Sequence, residues 1–203
     1  ITFQNGTSLS AQNSQVTLRA GNAITLGPNA IWNLGQGVIS PGSSFSARAG
    51  SDLIVQGGSQ GSGRITAGAG WSLALAAGVD LNSGNMKQGS GNLTFQTGTG
   101  LVAQDSTTTL QAGNAITLGQ NASWNFGEGV NSPGSSFNAR AGGDLIVQGG
   151  SQGSGRITAG GGWSLALTAG TDFSSGNMRQ GAGNLTFQTG TSLSAQDGAT
   201  TLR

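Results

Sequence analysis

The sequence predicts an all-β solenoid, a chain that coils repeatedly on itself, and three observations carry that expectation. The chain repeats itself at 92 residues, its apolar residues alternate with polar ones in short runs, and 39 of its 203 residues are glycine. Glycine is far above its usual share of about 7 % and charge far below its usual ~25 %. Only 7 % of residues are charged, yet 34 % are hydrophobic. That combination differs from disorder, which couples low hydrophobicity to high net charge.

The repeat is the strongest of the three. Ile1-Thr2-Phe3-Gln4 returns as Leu93-Thr94-Phe95-Gln96 and again as Leu185-Thr186-Phe187-Gln188. Residues 1–92 and 93–184 share 70 identities without a gap, and 185–203 begin a third copy. The chain therefore reads as repeat 1 (1–92), repeat 2 (93–184) and the start of repeat 3 (185–203). An array cut in mid-repeat, with no Met at Ile1 and no signal-peptide pattern, reads as an excerpt of a longer one.

A shorter phrase, small-Gly-x-x-apolar-x-apolar, recurs inside the repeat. It appears at Ala20-Gly21 leading to Ile24 and Leu26, at Ala49-Gly50 leading to Leu53 and Val55, and at Ala69-Gly70 leading to Leu73 and Leu75. Gly21, Gly70 and Gly113 divide the repeat into related halves. Periods of about 20–50 residues mark solenoids, propellers or arrays. Four coils of about 23 residues per repeat are expected, with five as the alternative, giving about nine coils and a rod of roughly 40–45 Å.

Local periodicity chooses strand over helix. Val16-Thr17-Leu18-Arg19-Ala20, Phe45-Ser46-Ala47-Arg48-Ala49 and Trp71-Ser72-Leu73-Ala74-Leu75 alternate with period two, which buries one face of a strand. Glycine every few residues would cost a helix about 1 kcal/mol each. The expected core is Ile24, Leu26, Phe45, Leu53, Val55, Trp71, Leu73 and Leu75, with Phe137, Leu145, Val147 and Trp163 in repeat 2. A propeller blade fits the half-repeat length, but the array is open-ended. A sandwich needs no exact repeat.

Function classes are narrowed mostly by what is missing. The chain has no His, no Cys and a net charge of +1, which gives nucleic acid or an anionic membrane no electrostatic hold. No apolar run approaches the ~20 residues of a membrane helix. The acids Asp52, Asp80, Asp105, Glu128, Asp144, Asp172 and Asp197 form no unique cluster. Asp52 and Asp80 simply recur as Asp144 and Asp172. They read as turn residues or local partners of Arg48 or Arg64, so no catalytic, metal or cofactor residues are assigned and no enzyme activity is expected. The stretch Gly57–Gly63 lacks the Asp of calcium-binding nonapeptides and the Gly-Lys-Ser/Thr of phosphate loops. Thr107-Thr108-Thr109 hints at a Thr-rich face, but its counterpart Gln15-Val16-Thr17 breaks the column. Trp32 and Trp124 lie in less regular parts of the repeat and are candidates for surface contact with glycans.

The strings Gly91-Asn92-Leu93-Thr94-Phe95, Gly143-Asp144-Leu145-Ile146-Val147 and Arg64-Ile65-Thr66-Ala67-Gly68 resemble the repeats of filamentous-haemagglutinin-like adhesins. These are large exoproteins of Gram-negative bacteria, exported by two-partner secretion. The resemblance implies a right-handed parallel β-helix serving as the shaft of an extracellular or cell-surface adhesin or filament. Its implied partners are other copies of itself, end to end or side by side, and matrix or cell-surface polysaccharide. A carbohydrate-binding solenoid surface is the alternative function, and a polysaccharide-degrading β-helix a more distant one. The family's amino-terminal secretion domain is not among these residues.

Overall fold

The structure is a computed structural model, and it describes residues 1–35, 39–127, 132–179 and 182–203. Among them there is no helix. The chain winds into coils of three strands each, separated by corners. The first coil has Thr2–Phe3, Ser8–Ala11 and Gln15–Ala20; the second Ile24–Leu26, Ile31–Leu34 and Ser43–Ala49; the third Leu53–Val55, Arg64–Ala67 and Trp71–Ala77. The three-coil sequence then repeats, and Leu185–Phe187, Ser192–Ala195 and Thr200–Leu202 form a seventh coil. Equivalent strands stack into three parallel seven-stranded sheets, here called the first, second and third in the order the chain visits them. The fold is a parallel β-solenoid.

Strand register corrects the expected coil count. In the first sheet Thr2 pairs with Thr25, Thr25 with Ile54 and Ile54 with Thr94, giving steps of 23, 29 and 40 residues. The next steps, Thr94 to Thr117, Ile146 and Thr186, repeat those lengths. A 92-residue repeat is thus three unequal coils, neither four nor five. Seven coils at about 4.8 Å per step make a stack of roughly 30 Å, shorter than nine coils would. The glycine phrase misled the count because it marks two different corners. Gly21 and Gly50 precede the first sheet, whereas Gly70 precedes the third. The added length of the longer coils sits at corners: 35–42 in the second coil, 56–63 and 78–92 in the third.

The core runs through the middle as registered columns. In the second sheet Leu9, Trp32, Ile65, Leu101, Trp124 and Ile157 stack in sequence. Ile24, Leu26, Phe45, Leu53, Val55, Trp71, Leu73, Leu75, Phe137, Leu145, Val147 and Trp163 are all at most 1 % exposed apart from Leu165's column neighbours at the stack end. Aromatic rings link coil to coil. Trp124 meets Phe95 edge-on at 5.5 Å and Phe137 at 5.3 Å. Phe126 stacks on Phe137 at 4.2 Å and leans on Trp163 at 5.2 Å. Repeat 1 has only Phe3–Trp32–Phe45, since Leu34 stands where Phe126 does. Gly127 makes room for this spine: a Cβ there would lie 2.6 Å from Trp163 Nε1, and its φ of +59° also suits glycine.

Thr108 breaks the pattern. It faces inward in the third sheet between Leu73 and Phe137, is fully buried, and its Oγ1 has no hydrogen-bond partner. The equivalent residue of repeat 1 is Val16. A buried unpaired hydroxyl costs about 1–3 kcal/mol, and valine has nearly the same shape. Thr108→Val should therefore stabilise the chain by about 1 kcal/mol or more in chemical denaturation; unchanged or lower stability would show that the hydroxyl is satisfied.

Candidate functional site

The interior is a packed apolar core, so any site must be on the outside. Each sheet presents ranks of outward side chains, one residue per coil. The first sheet carries a single rank of β-branched residues: Thr2, Thr25, Ile54, Thr94, Thr117, Ile146 and Thr186. Sequence reasoning sought a threonine column at Thr107-Thr108-Thr109 and missed this one. Its members lie 23, 29 and 40 residues apart, so only the correct coil lengths reveal it.

The third sheet is the broadest, with three outward ranks. Its last rank contains Arg19, Arg48, Ala76, Gln111 and Arg140. Residues 78–92 leave the solenoid after this sheet as an arm that folds back across it. Val79 bridges Met86 within the arm. The Arg19 guanidinium donates to the Leu81 carbonyl and Arg48 to that of Gly84. The arm covers Ala76, which is only 8 % exposed. The second arm, 170–184, is held by Arg140 donating to the Gly176 carbonyl at 3.0 Å. Gln111 replaces Arg19 there, and Phe173 replaces Leu81 and lies 5.8 Å under the Arg140 guanidinium. The arms also touch: Gln88 Nε2 donates to the Gly142 carbonyl at 3.1 Å, and its Oε1 accepts from the Phe173 amide at 3.2 Å.

Carboxylates serve as local structure. Asp52 Oδ1 accepts from the Asn92 amide at 2.8 Å and its side chain at 3.1 Å, and Asp144 does the same for Asn184 at 2.7 and 3.2 Å. These bonds tie the corner before one coil to the corner before the next. Asp105 accepts from Ser135 Oγ at 3.2 Å. Asp80 and Asp172 cap the tight turns of the two arms, accepting from the Asn82 and Ser174 amides at 3.0 and 2.9 Å. The turn-residue reading thus describes them, whereas the suggested pairing with Arg48 or Arg64 is replaced by the bond from Arg48 to a backbone carbonyl. Glu128 lies outside the described residues. Among the described residues no three His, Cys, Asp or Glu side chains gather to hold a metal, and no helix is long and apolar enough to cross a membrane.

Trp32 and Trp124 do not form a glycan platform. Both are 0 % exposed. In Ile31-Trp32-Asn33-Leu34 the alternation points Trp32 and Leu34 inward and leaves Ile31 40 % exposed. The phase of Leu34 was the available signal. Trp71 and Trp163 are buried too, so no tryptophan face is available for stacking on a sugar.

No family model, curated protein or solved structure matches the chain. Its function therefore rests on the surfaces described above. The concave ones are shallow and polar. The longest is a groove of about 480 Å³ at the corner between the second and third sheets, lined from Gln15 to Ser135.

The arm turns respond to acid. Asp172 is held well below its ordinary 3.8, to about 2, chiefly by the Ser174 hydroxyl and then by the Ser174 amide and Ser175 hydroxyl. Asp80 is lowered mainly by the Asn82 amide. A lowered folded-state value means that the cap's contribution is complete above 3.8 and is lost as pH falls through about 2. The Ser174 amide resonance should titrate with a midpoint near 2 and vanish as a titration in Asp172→Asn; a midpoint near 3.8 would show that the cap is not formed.

Proposed function

We propose that this chain is a segment of the structural shaft of an extracellular or cell-surface adhesin or filament, with no catalytic role of its own. The observation that carries this reading is the uniform stacking of coils: the same three-coil unit is laid down twice in register, and the seventh coil starts it again. A tandem array of this kind lengthens by adding copies, because each coil contacts only its neighbours. The resemblance to filamentous-haemagglutinin-like repeats suggests the setting. The scarcity of charge suits a polar rod with little repulsion between neighbours.

The partners follow from the same geometry. A coil at the end of a stack offers open strand edges and half-covered core residues, which invite another coil. Other copies of the chain, end to end or side by side, are the first class of partner, and an extracellular polysaccharide is the second. Side-by-side contacts would recur once per repeat and gain strength with repeat number.

Electron microscopy of the native protein, with antibody labelling of intact cells, tests this reading. The expected result is thin rods at the cell surface with an axial repeat of about 14 Å, three coils of about 4.8 Å each. Compact particles, or label confined to the cell interior, would overturn it.

A further inference from the structure

We propose that the groove between the second and third sheets binds an uncharged, extended polysaccharide strand lying lengthwise along the solenoid. The proposal goes beyond the shaft reading and does not depend on it, since a chain that formed no filament would keep the groove.

The groove is lined by five consecutive coils, a length of about 19 Å. Its edge is the first outward rank of the third sheet, where Gln15, Ser44, Ser72 and Thr107 stand in register. Each is an amide or hydroxyl able to donate and accept. They recur about every 4.8 Å, close to the advance of one sugar in an extended chain. The rank continues through Ser136 and Ser164.

The corner beside this rank is kept low by its backbone. Two residues before each rank member stands a residue with positive φ: Asn13, Gly42, Gly70, Asp105, Gly134 and Gly162. Around Gly42 and Gly134 a Cβ would meet nothing within 4 Å, so the space above them is open. The corner is therefore a smooth trough that a ridge-like ligand can enter.

Two further features point to a ligand and to its charge. Ser106 borders the groove, is only 6 % exposed, and its Oγ has no partner within the protein. A hydroxyl so placed is left for a bound group to satisfy. The only ionised side chain lining the groove is Asp105. With Ser135 Oγ at 3.2 Å, its carboxylate retains acceptor capacity for sugar hydroxyls. It also repels uronates and sulfates, which selects an uncharged chain. With all four tryptophans buried, recognition rests on hydrogen bonds, each of them weak, and grows with the number of sugars engaged at once.

The test uses the 203-residue chain, isotope-labelled, titrated with cello-, xylo- and chito-oligosaccharides of two to six sugars and with oligogalacturonate, and followed by amide chemical shifts. At least one uncharged series should shift Ser72, Ser106 and Thr107, and bind at least about tenfold more tightly as a hexamer than as a dimer. Oligogalacturonate should bind more weakly. The exposed double variant Ser72→Arg with Thr107→Arg should lose binding, while Thr94→Arg on the first sheet should retain it. Asp105→Asn, the residue type already present at Asn13, should remove the discrimination against oligogalacturonate. The proposal is overturned if no uncharged series shifts these amides, if the shifts map to another face, if the double variant binds as before, or if the uronate binds more tightly than the uncharged chains.

Discussion

Everything in this molecule depends on coil-on-coil stacking. A single coil cannot bury its own apolar side chains, as two stretches of the same sequence demonstrate. Leu93-Thr94-Phe95-Gln96 and Leu185-Thr186-Phe187-Gln188 differ at no position. Leu93 and Phe95, with a coil on either side, are fully buried, whereas Leu185 and Phe187 in the seventh coil are only partly so. The same stacking satisfies the backbone, since strand carbonyls and amides pair with the coils above and below. Side chains follow the rule at the corners, where Asn114 donates to Asn92 and Asn92 to Asp52.

Stacking also explains which differences between repeats are tolerated. Changes come in compensating sets at places where neighbouring coils meet. Gln111 in place of Arg19 removes one clamp on the arm, and Phe173 in place of Leu81 gives Arg140 a ring to lie over. Phe126 in place of Leu34 extends an aromatic spine that repeat 1 lacks. Thr108 in place of Val16 has no such compensation, and nothing in the structure explains it.

Much of the fold was legible in the sequence, because period-two alternation and an exact tandem repeat are direct consequences of a stacked strand architecture. Leu73 and Leu75, or Leu145 and Val147, could be assigned to an inner face from alternation alone. Coil length was not legible. Glycine phrases mark corners without saying which corner, so Gly70 and Gly50 looked equivalent though they precede different sheets. Surface ranks were hidden for the same reason, as Thr94 and Thr117 become neighbours only once their coils are aligned. The positions of Trp32 and Trp124 were decided by their phase with Leu34 and Phe126, a signal weaker than that of a longer alternating run. The groove was invisible, because it is assembled from single residues of five coils.

The outer surface is where the chain can differ from a passive rod. Its arms, its β-branched rank and its hydroxyl-lined groove each run along the axis, so any contact they make is repeated with the coils. That periodicity follows from the unequal three-coil unit, which is the central claim. Disulfide trapping tests it directly, in a chain with no native cysteine. Thr117→Cys combined with Ile146→Cys places thiols on paired residues of adjacent coils, within the ~4.4–6.8 Å Cα separation that a disulfide spans. This pair should cross-link rapidly, and Thr117→Cys with Arg140→Cys, 23 residues apart as equal coils would require, should not. The opposite outcome would contradict the three-coil solenoid.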